Sequence, residues 1–146
     1  MEGLPPVLTD RAAFLLRLAL GRAERMGERA LATVGLSGRE YGALALLKGG
    51  DMSVQRALGA VLGLDRTTTA ALLRHLEDAG LVSRRRDPAN RRAYKLTLTA
   101  EGEKRRAAAA DVLHACDDRF LDVLSGTERA ELIRLLSKLA AGPEDY

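Results

Sequence analysis

The stretch Asp65–Thr99, DRTTTAALLRHLEDAGLVSRRRDPANRRAYKLTLT, constrains the chain more than any other. Its first half carries Thr69, Leu72, Leu73 and Leu76 at spacings of three and four, the inner face of one helix, with Asp65 placed to cap it. Arg66, Thr67, Thr68, Ala70, Ala71, Arg74 and His75 are left for the outer face. Gly80 tolerates the left-handed conformation in which helices stop. Leu81–Val82 then opens a strand, and Tyr94, Leu96 and Leu98 alternate with Lys95, Thr97 and Thr99 in its return partner. Between them Asp87–Pro88–Ala89–Asn90 is rich in turn formers, so the tip projects, with Arg91 and Arg92 on it or just beyond it. From Leu81 to Lys95 six basic residues (Arg84, Arg85, Arg86, Arg91, Arg92 and Lys95) stand against one acid, Asp87. A helix fits the major groove of a duplex, and arginines suit phosphates and a narrow minor groove. The unit therefore suits double-stranded DNA.

The segments on either side explain how such a unit is held. Thr9 or Asp10 can cap a first helix, along which Ala12, Leu16, Ala19, Ala23, Met26, Ala30 and Val34 form one apolar stripe. A helix of that length is too long for the small domain beside it to cover. Gly35 ends it, and Ser37–Gly38–Arg39–Glu40 offers a capping box for a second helix with Tyr41, Leu44 and Leu47 on one face. Gly49–Gly50 breaks that helix, Ser53 can cap a third with Leu58, Val61 and Leu62 inside, and Gly63–Leu64 turns into Asp65. Two short helices joined by a tight turn form a helix-turn-helix pattern. Thr99 can cap a fifth helix striped by Ala109, Leu113, Cys116, Phe120 and Val123. Ser125–Gly126–Thr127–Glu128 opens the last, with Leu132, Leu135, Leu136 and Leu139, ended by Gly142–Pro143. Long apolar stripes at both ends of the chain predict an obligate homodimer that buries them together.

Charge follows the same division. Residues 1–64 hold 8 basic and 6 acidic side chains, residues 65–106 hold 11 and 6, and residues 107–146 hold 4 and 8. Basic charge thus gathers in the middle of a chain whose net charge is only +3, as a polyanion partner for one region requires. A single cysteine, Cys116, excludes an intramolecular disulfide framework and reads as a small buried hydrophobe on its stripe. No apolar run approaches the roughly 20 residues that span a bilayer, and MEGLPPVLTD lacks the pattern of a secretory signal. The expectation is a cytoplasmic protein with no membrane partner.

Leu62–Gly102 carries a more specific signature: Leu64–Asp65–Arg66, then Leu76–Glu77 with Gly80–Leu81–Val82, Asp87 with Arg91–Arg92, and Leu96–Thr97–Leu98–Thr99 with Gly102. In this order and spacing the chain, from about residue 8 to 141, resembles the MarR family of winged helix-turn-helix regulators. The resemblance implies a mainly α fold with a small β-hairpin wing. Residues 37–99 would form the DNA-binding lobe of a single domain spanning 1–146, with dimerisation helices at 8–34 and 100–141. It implies a homodimeric repressor on a roughly palindromic operator, released by a small phenolic or anionic effector bound between lobe and dimerisation helices. Arg66, Thr67 and Thr68 match family positions near phosphates or bases, and Arg91 and Arg92 match the wing-tip arginines. Arg74, Arg84 and Arg86 join them as DNA-binding candidates. Asn90 stands where an aspartate is frequent, and Ala70 and Ala71 replace polar residues, which shifts specificity towards Arg74, His75 and groove shape.

Other classes of function have less support. A winged helix can serve as a protein-interaction module without operator binding, but such a module has less need of wing arginines. For an enzyme there is no Ser/His/Asp set, no Gly-rich phosphate loop and no carboxylate pair marked out by spacing. Two histidines, His75 and His114, and one cysteine make no zinc constellation. No catalytic residue, metal or cofactor is expected.

Overall fold

The structure, a computed structural model, describes residues 5–48, 59–86 and 94–142. The helices are α1 (Pro6–Thr9), α2 (Ala12–Ala32), α3 (Gly38–Lys48), α4 (Arg66–Asp78), α5 (Ala100–Phe120) and α6 (Gly126–Ala140). Residues 59–62 are also helical and lead into the turn before α4. Strands β1 (Val82–Arg86) and β2 (Tyr94–Leu98) form an antiparallel hairpin with Val82 opposite Leu98 and Arg86 opposite Tyr94. Ser53, Leu58 and the Gly49–Gly50 break lie outside the described residues, as does Pro143.

Helix ends follow the sequence closely. After α2 and after α4 the chain closes in the same way. The amide of Gly35 bonds Ala32 O and that of Leu36 reaches back to Leu31 O, while Gly80 and Leu81 do the same to Glu77 and Leu76. This closure needs a left-handed residue, and Gly35 and Gly80 sit at φ of 69° and 70°. Asp65 and Thr99 cap α4 and α5 through side-chain oxygens, and Ser125 with Glu128 forms a full capping box on α6. Ser37 and Glu40 exchange the same pair of bonds at α3. The start of α2 departs from expectation. Neither Thr9 nor Asp10 caps it; its N-cap is Arg11, with no side-chain cap. Pro5 and Pro6 begin a separate short turn, α1, so α2 starts two residues later than a cap at Thr9, or one later than a cap at Asp10, would set it.

The core is small and lies at one place. Leu31 of α2 and Leu36 just beyond it, Ala43, Leu44 and Leu47 of α3, Leu73 and Leu76 of α4, Leu81 and Val82 where the chain enters β1, and Ala109 of α5 are all buried. It fastens the helix-hairpin unit to the C-terminal end of α2 and the N-terminal half of α5. The rest of the long helices is uncovered. Leu31 is the only buried residue of α2, and α6 has none. Leu15, Leu16, Leu18 and Leu20 of α2, Val123, and Ile133, Leu135, Leu136 and Leu139 of α6 stand exposed. Cys116 is half-buried rather than buried, because α2 leaves that side of α5 open. Among the described residues no helix is long and apolar enough to cross a membrane.

Polar ties hold α5 to the lobe. Lys48 Nζ reaches Glu103 Oε1 at 2.8 Å, and Arg106 grips the same carboxylate through Nε and Nη2 at 3.0 Å. Arg106 first and Lys48 second hold the Glu103 carboxyl down at about 2, against an ordinary 4.5. A carboxyl depressed in the folded state stabilises the fold fully above about pH 4.5, and the contribution is lost as pH falls towards 2. Glu103→Gln should therefore flatten the loss of stability between pH 5 and pH 2, read by denaturant titration at each pH. An unchanged profile would mean that the ionised Glu103, paired with Arg106 of its own helix and Lys48 of α3, adds nothing to the fold. Leu73→Ala, in the fully buried centre, should cost about 2–5 kcal/mol by the same measurement.

Candidate nucleic-acid interface

The cap of α4 decides what its first turn can offer. Asp65 accepts from Thr68 N and from Thr68 Oγ1, both at 2.8 Å. Those two bonds, the amide first, lower the Asp65 carboxyl and keep it ionised. The only hydroxyl hydrogen of Thr68 is spent on Asp65, so Thr68 has none to donate to a phosphate. Thr67, Ala71 and Arg74 recur at four and three, share one face and are all exposed. Arg66 is exposed at the first turn. This outer face presents a hydroxyl, a methyl and two guanidiniums.

The other flanks of α4 are tied down. His75 Nε2 lies 2.9 Å from Glu40 Oε1 at the start of α3. Partial burial raises the Glu40 carboxyl, but hydrogen bonds from Ser37 Oγ, Ser37 N and His75 outweigh it and hold the group below the usual carboxylate range. Towards the hairpin, Arg84 Nε donates to Glu77 Oε1 at 2.7 Å. Arg84 thus braces β1 against the recognition helix. Inside, Thr69 is buried and its Oγ1 has no hydrogen-bond partner among the described residues. Thr69→Val keeps the shape and removes that hydroxyl, so it should leave stability unchanged or raise it by about 1 kcal/mol. A loss in thermal unfolding would reveal a partner for the hydroxyl.

The hairpin adds a feature that composition alone does not give. Its register sets Arg85 directly opposite Lys95, next to Ser83 opposite Thr97 on the same face, where the two hydroxyl oxygens are 2.9 Å apart. Arg85 and Lys95 are both exposed, and neither has a salt-bridge partner among the described residues. Like charges facing each other across a strand pair destabilise it unless an anion lies over them. Neither residue is among the eight site candidates read from the sequence. Counting back from a tip centred between Arg86 and Tyr94 would have paired them. Of those eight, Arg66, Thr67 and Arg74 lie on the open face, while Thr68 and Arg84 are engaged within the fold. Arg86 is placed on β1 without a described side chain, and Arg91 and Arg92 lie outside the described residues.

A polar-faced helix after a tight turn, a hairpin carrying unpaired cations and long half-covered flanking helices define a winged helix-turn-helix protein. Comparison with known proteins narrows the class. A sequence model of the MarR family matches residues 34–93. A putative transcriptional regulatory protein for the hcr operon of Thauera aromatica is 32% identical over 133 residues, covering 90% of this chain and 80% of that protein. Transcriptional regulator HosA of Escherichia coli is 42% identical over 74 residues, 51% of this chain. That match spans only 55% of HosA. Among solved structures, the repressor CouR bound to a 23-mer DNA duplex superposes with a TM-score of 0.84 at 28% identity, covering 96% of this chain and 99% of that one. CouR from Rhodococcus jostii RHA1 bound to p-coumaroyl-CoA gives 0.80 at 29%, covering 97% and 100%. The chain belongs to the MarR family, and its fold is that of the family.

If an anion lies over the Arg85–Lys95 pair, Lys95→Gln should have effects of opposite sign. Fold stability should hold or rise slightly as the repulsion is removed, while affinity for duplex DNA falls and the salt dependence, log K against log salt, becomes shallower by about 1.8 when both copies of a dimer lose the contact. Paired thermal unfolding and fluorescence-anisotropy titrations read the two effects. Unchanged affinity would take the hairpin pair out of the interface.

Proposed function

We propose that the protein is a DNA-binding transcriptional repressor, working as a homodimer and released by a small organic effector. The observation that carries this reading is the pairing of an open α4 face (Thr67, Ala71 and Arg74) with unneutralised hairpin cations beside it. Major-groove edges accept such a helix, and Ala71 can meet a thymine methyl while Arg74 reaches a guanine or a phosphate. Arg85 and Lys95 would take phosphates. Arg91 and Arg92 are assigned to the minor groove by their match to the family's wing tip, and Arg66 to the backbone at the start of α4. Thr68 and Arg84 act as positioning residues, through Asp65 and Glu77. The DNA complex of CouR supports the same partner, and its p-coumaroyl-CoA complex supports a small-molecule effector. The named relatives are regulators, and the role proposed here is regulation without catalysis. It would be carried out in the cytoplasm, where bacterial DNA lies.

The dimer follows from the uncovered apolar surface. Ile133 is 58% and Leu139 66% exposed on α6, and Leu20 is 58% exposed on α2. Leaving such a surface in water is costly at about 25 cal/mol per Å², and a second copy would bury it. Residues 8–34 and 100–141 are accordingly assigned to dimerisation and 37–99 to DNA binding. A dimer also sets two α4 helices to read half-sites about one helical turn apart, roughly 34 Å.

Two variants separate the roles. Arg74→Ala should weaken binding to the chain's own upstream DNA by roughly 1–3 kcal/mol with the dimer intact. Ile133→Glu combined with Leu136→Glu should give monomers in light scattering and lose the operator complex while the lobe stays folded. Full affinity in the first, or a dimer surviving the second, would contradict the assignment.

A further inference from the structure

The recognition helix α4 has two flanks, and the hairpin covers one of them. At about 3.6 residues per turn, Glu77 stands about a quarter turn to one side of the Thr67–Ala71–Arg74 face, and Thr68 and His75 about a quarter turn to the other. The hairpin lies on the Glu77 side, held there by Arg84. On the Thr68–His75 side the neighbour is the start of α3. His75 Nε2 meets Glu40 Oε1 at 2.9 Å, and Arg39 shares a recess with Thr68, Ala71 and His75. Ala71 belongs both to the open face and to this recess, so Arg39 borders the surface assigned to DNA.

Position, not lack of a partner, singles this arginine out. Arg17, Arg22, Arg25, Arg29 and Arg119 line recesses built only from α2 and α5. Arg39 instead occupies the first turn of α3, just after the Ser37 cap, where the positive end of the helix dipole disfavours a cation. Two carboxylates lie at this helix end, and both are bonded to its cap. Glu40 Oε2 accepts from Ser37 N and from Ser37 Oγ at 2.7 Å, and Glu28 Oε1 accepts from Gly38 N at 3.0 Å. Arg39 itself stays exposed. A guanidinium placed against the dipole, beside the open α4 face, gains most when an anion lies over it.

We infer that Arg39 is a further DNA-binding residue, which holds a backbone phosphate on the edge of the major groove opposite the hairpin. The groove is about 12 Å wide, and a sugar–phosphate strand bounds it on each side. The hairpin cations take one strand and Arg39 the other, so α4 is held from both flanks. A planar guanidinium suits phosphate oxygens in paired contacts. Such a contact fixes the register of α4 but carries no sequence information. The inference rests on the repressor reading and extends its interface from α4 and the hairpin to the start of α3.

The test is an anisotropy titration of the full-length protein with two duplexes, one from the chain's own upstream region and one of unrelated sequence, across a range of salt. Arg39→Gln should weaken binding to the upstream duplex at least ~10-fold, the loss of a charge-assisted hydrogen bond in each of two subunits. The slope of log K against log salt should become shallower by about 1.8. Affinity for the unrelated duplex should fall by the same factor, because a phosphate contact is indifferent to sequence. Arg39→Lys keeps a cation in place and should restore the wild-type slope. Thermal unfolding and light scattering should show both variants folded and dimeric, with Arg39→Gln as stable as wild type or slightly more so. Wild-type affinity and slope in Arg39→Gln, equal losses in the glutamine and lysine variants, a loss confined to the upstream duplex, or an unfolding transition lowered by Arg39→Gln would each overturn the assignment. The last would make Arg39 part of the α3 cap instead. A wild-type protein that binds neither duplex would overturn the repressor reading itself, an outcome separate from any difference between the variants.

Discussion

Where α4 ends and α5 begins, the chain is held against itself by a few short bonds around one threonine. Thr99 N donates to Leu81 O at 3.1 Å, and its hydroxyl donates to Gly80 O at 2.7 Å while accepting from Gly102 N at 3.0 Å. Gly102 packs so closely on the Leu81 carbonyl that no side chain could be fitted there. The same oxygen of Thr99 therefore caps the dimerisation helix and fastens it to the turn that stops the recognition helix. The placement of α4 relative to α5 depends on that junction. It makes the lobe and α5 one lever, so that subunit packing sets where α4 points.

The polar chemistry of the chain is divided along the same line. On the lobe side, groups that could have donated to a partner are spent on internal order: Arg84 on Glu77, His75 on Glu40, Thr68 on Asp65. What stays uncompensated on the α4 face and the hairpin includes Arg66 and Arg74 on α4 and the Arg85–Lys95 pair. On the flanking helices what stays uncovered is apolar: Leu15, Leu16, Leu18 and Leu20 of α2 and Ile133, Leu135, Leu136 and Leu139 of α6.

Much of the fold was legible in the sequence because its signals are local. Gly35 and Gly80 stop helices through a backbone conformation that other residues avoid, and Asp65, Thr99 and Ser125 cap helices through atoms three residues away. The two-residue alternation of β2 and the three-four spacing of Leu72, Leu73 and Leu76 are equally local. The start of α2 was misread because a threonine and an aspartate were weighed without the two prolines before them, which begin a turn of their own. The site was less legible. That Thr68 and Arg84 are already engaged depends on partners that sequence spacing alone does not assign, and the Arg85–Lys95 opposition depends on a register. The closeness of Arg39 to the α4 face depends on which sides of two helices meet. Periodicity ranks residues by face; it does not say which polar groups have already found each other.

The central claim is that the open α4 face and the hairpin cations form one surface for duplex DNA. The salt dependence of binding to a duplex from the chain's own upstream region tests it most directly, with the full-length dimer titrated by anisotropy across a range of salt. Each neutralised phosphate contributes about −0.9 to the slope of log K against log salt. Arg74, Arg85 and Lys95 in two copies predict a slope of about −5 or steeper, which Arg85→Gln with Lys95→Gln makes shallower by roughly 3.6. A slope near zero, or one that the hairpin double variant leaves unchanged, would contradict the account.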